Sequence, residues 1–175
     1  GSAATVGHGL GVTPDMIIFK NRSGANVWAT YHQGLGNNLK LELNGTGAQD
    51  SDGAFMNGTL PTSSVFSVGA SANTNTNSSN YVAYCFKNVQ GYSKFGVYSA
   101  DYATSDGPFV YTGFKPAFVM IKNLAHATNW IMIDHKRNPS NVANLKLGAN
   151  LNAADNGSDL GNTSQNNIDM LSNGF

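Results

Sequence analysis

Trp28 and Trp130 are the residues of this sequence best suited to bind a ligand, and they are the only tryptophans in the chain. An indole ring has a flat apolar face and a polar edge, a combination that suits stacking against a sugar ring. Large aromatic side chains are equally common as anchors of a hydrophobic core. The sequence therefore leaves two interpretations open, a pair of sugar platforms or a pair of core anchors.

Polar residues follow both tryptophans at the same distance. His32 lies four positions after Trp28, and Asp134 lies four positions after Trp130. At the ends of predicted strands, such residues form either a recognition edge or the solvated end of a hairpin. The candidate ligand-binding residues are Trp28, Tyr31, His32, Trp130, Asp134 and His135.

Catalytic and metal chemistry find little support in the sequence. Glycoside hydrolysis needs two facing carboxylic acids, yet Glu42 is the only glutamate, and aspartates cluster in turn-like stretches at residues 50–52 and 155–159. Those turns could hold calcium, but neither matches an EF-hand loop. The histidines lack zinc-site spacing, and no G-x-S-x-G motif occurs. We therefore expect no enzyme, no catalytic residue, no metal site and no cofactor.

Composition narrows the class of protein. Ten basic and ten acidic residues balance, without a cationic cluster that could bind phosphates, so nucleic acid and anionic membrane are poor partners. Only 11% of residues are charged, and abundant Asn, Ser, Thr and Gly favour turns over helices. Cys85 is the only cysteine, which excludes a disulfide within the chain. An all-β protein is expected.

An internal repeat organises the chain. Pro14 and Pro116 lie 102 positions apart, and the same spacing relates the two tryptophans and two Lys-Asn pairs. The Leu-Lys-Leu triplets at residues 39–41 and 145–147 match at a spacing of 106. We predict a first β repeat at residues 3–92 and a second at 93–175, cut short at its C-terminus. The repeats are either two small domains or two parts of one sandwich core.

The strand pattern predicts an antiparallel β-sandwich of the jelly-roll or lectin-like type, built from these two tandem homologous repeats. Residues 16–19 and 118–121 are apolar throughout, which is typical of strands buried on both faces. Each leads through a short loop into a second strand, at residues 26–32 and 129–134. Further predicted strands are residues 39–43, 64–68, 81–86, 94–98 and 109–112. The polar stretches 70–80 and 150–167 are predicted loops, the first of them mobile and outside the core.

Four segments carry a resemblance to a known group of proteins. Residues 7–18, 81–86, 91–96 and 113–123 resemble an uncharacterised domain of tailed-phage structural proteins, especially those of marine and cyanobacterial phages. The resemblance spans nearly the whole chain. It implies a virion component, in a tail fibre, a tail tip or a capsid appendage, and it supplies no catalytic or ligand residues.

Three functions follow as hypotheses. The first is adhesion to host cell-surface polysaccharide, where many weakly binding copies on one virion would give avidity. The second is a purely structural assembly or trimerisation module without a small ligand. The third, and least favoured, is a polysaccharide depolymerase. The expected partners are other virion proteins or further copies of the chain, and host polysaccharide, without nucleic acid or membrane insertion.

Overall fold

The computed structural model describes residues 1–100, 107–155, 160 and 167–175, and the regular structure there is almost entirely β. The strands are β1 (Ala4–Gly7), β2 (Met16–Asn21), β3 (Ala29–His32), β4 (Leu39–Glu42), β5 (Asp50–Ser51), β6 (Val65–Val68), β7 (Tyr81–Phe86), β8 (Phe118–Ile121), β9 (Ile131–Asp134) and β10 (Leu147–Gly148). One 3-10 helix, Gln33–Leu35, follows β3. Among the described residues, no helix is long and apolar enough to cross a membrane.

Three antiparallel sheets make up this part of the chain. The N-terminal sheet has five strands in the order β5-β4-β3-β2-β7, and β1 pairs with β6 in a separate two-stranded sheet. The C-terminal sheet has three strands in the order β10-β9-β8. The prediction of an all-β chain with antiparallel sheets is confirmed, and the arrangement is consistent with a β-sandwich.

The core of the N-terminal half lies between the five-stranded sheet and the β1-β6 pair. Side chains alternate along a strand, so Ile17 and Phe19 of β2 project from the same face of the sheet. The Phe19 ring meets the rings of Phe55 and Phe66 edge to face, at centroid distances of 5.3 and 5.2 Å. Each fully buried side chain of this size contributes about 1.5–3 kcal/mol relative to an exposed one. This cluster fixes the inner face of the sheet.

The first hairpins of the two halves have matching registers. Met16 lies opposite His32 in the β2-β3 hairpin, and Phe118 lies opposite Asp134 in the β8-β9 hairpin. Both positions differ by 102 between the halves. The inner face of the C-terminal sheet likewise packs a small core that contains Val119.

The two halves contact each other through the outer face of the N-terminal sheet. Leu35, Leu41 and Trp130 form one buried cluster, with residues from both halves packed around it. Two backbone hydrogen bonds cross at its margin, from Gln49 N–H to the Leu124 carbonyl at 2.9 Å and from Thr128 N–H to the Thr46 carbonyl at 2.9 Å. The C-terminal half thus covers the side of the sheet that carries β4.

Two predicted strands are wrong. Residues 94–98 form no strand, because the Phe95 backbone bonds to side chains instead: its N–H donates to Asn88 Oδ1 at 2.6 Å, and its carbonyl accepts from Gln33 Nε2 at 3.1 Å. Within residues 109–112 only Tyr111 makes a β-bridge, to Gly174. The pattern of apolar residues did not specify a pairing partner for either segment.

The polar tract at residues 70–80 corrects another expectation, since part of it is buried. Ser71 Oγ donates to Asp52 Oδ2 at 2.7 Å, and Thr74 Oγ1 donates to the Phe55 carbonyl at 2.9 Å. The Tyr81 hydroxyl donates to the Ala72 carbonyl at 2.9 Å. Hydroxyl side chains thus attach this tract to the core. In the second polar stretch, 150–167, residues 156–159 and 161–166 lie outside the described part of the chain.

The prediction that residues 118–121 are buried on both faces is wrong at Phe118, whose surface is 55% exposed. Among the described residues, β8 has a neighbouring strand on one side only. A strand at the edge of a sheet leaves its side chains less covered than a central strand does.

Candidate functional site

Trp28 lies on the outer face of the N-terminal sheet. It directly precedes β3, and because Ala29 and Tyr31 point into the core, the alternation of side chains puts Trp28 on the opposite face. Its ring is half-buried, with a centroid 6.4 Å from that of Tyr84 on β7 and 18° between the ring planes. The backbone N–H of Trp28 donates to Asn44 Oδ1 at 2.8 Å, which fixes the backbone at this position.

Exposed aromatic residues continue along β7. Tyr84 is 46% exposed and Phe86 is 40% exposed, two positions further on the same face. The Phe86 ring is tilted against that of Phe95, at a centroid distance of 6.0 Å. We call Trp28, Tyr84 and Phe86 the aromatic face.

Trp130 has the equivalent backbone setting but a different environment. Its N–H donates to Asn150 Oδ1 at 2.9 Å, as the Trp28 N–H does to Asn44. Its side chain is only 4% exposed, and its indole N–H donates to the Glu42 carbonyl at 2.9 Å. Trp130 therefore joins the two halves of the chain, and its ring is not accessible to a sugar.

Tyr31 lies in the N-terminal core on the inner face of the sheet. Burial raises the pKa of its phenol, and the nearby Asp15 carboxylate acts in the same direction. The hydroxyl therefore stays protonated at neutral pH. The Tyr31 side chain packs in the core on the inner face of the sheet, and Trp28 lies on the opposite face.

His32 ends β3 and caps the short helix that follows. Its Nδ1 accepts a hydrogen bond from Gly34 N–H at 3.0 Å, so the ring proton of the neutral form is assigned to Nε2. Burial lowers the pKa of His32, although the Asp15 carboxylate opposes that shift. Asp15 itself is buried and accepts from Asn88 N–H at 2.5 Å. The neutral imidazole is thus the form that fits this site.

Asp134 ends β9, and His135 begins the tight turn that follows. Asp134 Oδ1 accepts from Lys136 N–H at 3.0 Å and from Arg137 N–H at 2.9 Å, and Oδ2 accepts from Arg137 Nε at 2.7 Å. The hydrogen bonds and charge of Arg137 lower the pKa of Asp134. A ring nitrogen of His135 lies 3.1 Å from the Ala117 carbonyl oxygen. These contacts close the hairpin end and hold both side chains locally.

The six candidate residues are therefore spread over several environments. Trp28 is on the aromatic face, Tyr31 is in the core, and Trp130 is between the halves. His32 and Asp134 stand at the ends of equivalent strands, in separate hairpins. The residues that sequence reasoning missed are Tyr84 and Phe86, which alternation along the apolar run at residues 81–86 could have placed on one face.

A buried lysine also escaped the sequence analysis. Lys40 Nζ lies 2.8 Å from Asp50 Oδ2 and 3.2 Å from Glu42 Oε1. Burial alone would lower the Lys40 pKa, but the hydrogen bonds and charges of the two carboxylates together raise it. Two acids of the kind a glycosidase would use are thus held by a cation. The signal was the Leu-Lys-Leu alternation at residues 39–41, which puts Lys40 on the face opposite its neighbours.

One cavity lies near the inner face of the N-terminal sheet. It has a volume of about 310 Å³ and includes His8, Leu10 and Cys85 in its lining. Burial raises the pKa of the Cys85 thiol, which makes the thiol a poor nucleophile at neutral pH. Within the described residues, no group of three or more His, Cys, Asp or Glu side chains is placed to hold a metal ion.

Fold and site together define an all-β protein of antiparallel sheets, with an exposed aromatic face on one sheet and a buried tryptophan contact between its halves. The chain belongs to the family of the domain of unknown function DUF7483, whose family model matches residues 1–175. No curated protein and no solved structure matches the chain.

Proposed function

We propose that this chain is a noncatalytic assembly module on the surface of a phage virion, in a tail fibre, a tail tip or a capsid appendage. The resemblance of residues 7–18, 81–86, 91–96 and 113–123 to tailed-phage structural proteins supports the virion assignment. In this role the module binds further copies of itself, as a trimer or another oligomer, through apolar surface on its sheets, and it also binds other virion proteins.

The observation that carries the assembly role is the difference in cover between two equivalent positions. Trp130 is buried where one half of the chain packs on the other, whereas Trp28 lies beside the exposed Tyr84 and Phe86. A cluster of exposed aromatic side chains is typical of a protein contact surface. The burial of Trp130 between the two halves thus shows how a second surface can cover an aromatic residue at this position of the sheet.

We further infer that the chain is a tandem duplication in a sandwich of the jelly-roll or lectin-like type. Support comes from the matching hairpin registers at a spacing of 102 and from equivalent hydrogen bonds to the two tryptophan backbones. The repeat boundaries of this inference are residues 3–92 and 93–175. A shared core at Trp130 favours two parts of one sandwich over two independent domains.

Adhesion to host polysaccharide is the second candidate, and Trp28 with Tyr84 is the observation that favours it. Two aromatic rings inclined by only 18° could both contact a glycan chain. His32 lies on the same face as Trp28 but at the opposite end of β3, and the Asp134 hairpin belongs to the other half of the chain. The polar contacts that usually fix a sugar's orientation are therefore not gathered beside Trp28 and Tyr84. We therefore place adhesion after assembly. The depolymerase hypothesis has the least support, because Lys40 binds the Glu42 and Asp50 carboxylates.

A concentration series in light scattering tests the assembly role. We expect the apparent molar mass of the wild-type chain to rise with concentration, and the double variant Tyr84→Ser, Phe86→Ser to remain closer to a monomer. Tyr92→Ser is the matched control, since Tyr92 is exposed in the turn after β7 and outside the aromatic face.

A wild-type chain that stays monomeric at every concentration would overturn the assembly role. Glycan-array binding by that monomer, lost on Trp28→Ala and retained in Tyr92→Ser, would favour adhesion instead.

A further inference from the structure

The strands β2 and β8 occupy equivalent places in the two hairpins but differ in their neighbours. β2 lies between β3 and β7 in the N-terminal sheet. In the part of the chain that the structure describes, β8 pairs with β9 alone. One side of β8 is therefore an open sheet edge at the position where β2 carries β7.

Side-chain exposure follows the same difference. Met16 is 5% exposed, and its cross-strand partner on β7 is Phe86. Phe118, at the equivalent position of β8, is 55% exposed. An aromatic residue of this size gains much of its burial from a cross-strand partner on the same face. Phe118 therefore has the exposure expected of a residue whose cross-strand partner, Asp134, lies on the β9 side only.

The backbone of β8 presents hydrogen-bonding groups along this edge. The N–H of His135 donates to the Ala117 carbonyl, which assigns the odd-numbered residues of β8 to the ladder with β9. In an antiparallel pair the bonded residues alternate, so the N–H and C=O groups of Phe118 and Met120 point away from β9. On β2 the backbone N–H and C=O groups of the even-numbered residues point toward β7 in the same way. The Arg22 N–H, which donates to the Asn80 carbonyl, continues this pattern just beyond β2. Exposed backbone groups of this kind are a template for a further strand.

We propose that the open edge of β8 accepts one antiparallel strand from a partner protein of the assembly. The proposed occupant is a strand of a separate polypeptide, and β7 of a second copy is excluded because β7 is already paired with β2 over all six of its residues. This is strand addition to a sheet edge, in which backbone hydrogen bonds give affinity and alternate side chains give specificity. The inference rests on the proposed assembly function and names its partner as a strand.

The chemistry of the partner strand follows from β7. On β7, Tyr84 and Phe86 lie on the outer face, and the small residues Ala83 and Cys85 lie opposite Phe19 and Ile17 on the core face. Because β8 is equivalent to β2, we expect a strand added beside β8 to have small side chains on the core face, at the positions that Ala83 and Cys85 occupy in β7. The accepted strand therefore has large apolar residues on the Phe118 side and alanine-sized or serine-sized residues between them.

A peptide with the sequence of residues 80–87, carrying Cys85→Ser to prevent oxidation, is the probe. We expect it to protect the Phe118 and Met120 amides of the whole chain from hydrogen exchange, read by NMR. The Val119 and Ile121 amides face β9 and serve as internal references that are protected without peptide. In a control peptide, residues 83 and 84 are exchanged with each other, and so are residues 85 and 86, which puts the large side chains on the opposite face of the strand. This peptide should give no protection.

Two variants of the protein separate the contribution of the Phe118 backbone N–H to peptide binding from that of the Phe118 side chain. Phe118→Ala keeps the outward N–H, whereas Phe118→Pro removes it without affecting a ladder bond to β9. We expect the proline variant to bind the peptide about threefold to tenfold more weakly than the alanine variant, as the loss of one hydrogen bond requires. Retained reference protection at Val119 shows that each variant is folded.

Absence of protection at Phe118 and Met120 under saturating peptide would overturn the proposal, and so would equal protection by the control peptide. Protection that grows with protein concentration alone would also overturn it, because the occupant would then be a second copy. If light scattering still shows assembly that depends on Tyr84 and Phe86, only the strand proposal falls. If the peptide binds but no assembly occurs, the assembly function falls instead.

Discussion

Trp28 and Trp130 occupy the same position in two similar hairpins, yet only one of them is buried. Each has its backbone N–H bonded to an asparagine side chain, so the local structure is the same. Trp130 meets Leu35 and Leu41 of the other half, whereas Trp28 is half-covered beside Tyr84. Local sequence thus places an aromatic residue on a sheet face, and the surface packed against this face decides whether the residue supports the core or stays available for contact.

The replacement Trp130→Ala should have the largest effect, because it removes the side chain at the centre of the contact between the halves. Truncation of a buried tryptophan typically costs about 3–5 kcal/mol of unfolding free energy. Urea denaturation followed by circular dichroism measures this cost. A loss no larger than that of Trp28→Ala would contradict the difference in burial between the two tryptophans, since the two positions would then be energetically alike.

The matched replacement Trp28→Ala should cost far less, about 1–2 kcal/mol, because the ring is already partly in water and leaves a smaller void. The same denaturation experiment measures it. A cost equal to that of Trp130→Ala would show that the aromatic face is covered in solution and would contradict its role as an open surface.

His32 and Asp134, at the ends of the equivalent strands β3 and β9, should differ by a smaller amount, in the pH range over which each affects stability. Burial lowers the His32 pKa, so the unfolded state binds the proton more readily and stability falls as the pH drops below about 6.5. His32→Asn keeps an acceptor for the Gly34 N–H and should flatten the pH dependence of the unfolding free energy from about pH 6.5 down through the folded pKa of His32. An unchanged slope in that range would mean that His32 is protonated equally in both states.

Asp134, at the other strand end, should respond in a more acidic range. Arg137 lowers the Asp134 pKa, so this interaction stabilises the fold above about pH 4 and is lost as the pH falls through the folded pKa. Asp134→Asn keeps an oxygen for the Lys136 and Arg137 amides and should reduce the slope below about pH 4 only. A reduced slope near about pH 6 instead would contradict the assignment of each pH range to its own hairpin.

Local pattern was enough to predict the paired hairpins, the strand at β7 and the all-β class. The apolar runs bounded by Pro and Lys-Asn correctly located β2 and β8. Local pattern failed where pairing depends on a distant surface. Residues 94–98 are as strand-like as β7, but Phe95 bonds to the Asn88 and Gln33 side chains instead of to a neighbouring strand.

The candidate site was less accessible to sequence reasoning than the fold. Tyr31 and His32 are adjacent to each other and close to Trp28, but alternation puts Tyr31 on the inner face and away from the other two. The burial of Trp130 depends on Leu35 and Leu41, nearly a hundred residues earlier in the chain. A spacing of 102 predicts equivalent local geometry, and it does not predict which of two equivalent faces is covered.

Fluorescence quenching of two single-tryptophan variants measures the solvent access of each indole separately, because the chain has only Trp28 and Trp130. Trp130→Phe reports on Trp28 alone, and Trp28→Phe reports on Trp130 alone. We expect efficient acrylamide quenching of Trp28 and weak quenching, with a blue-shifted emission, of Trp130. Equal quenching of the two indoles in folded protein would contradict the claim that one equivalent face is open and the other is sealed between the halves.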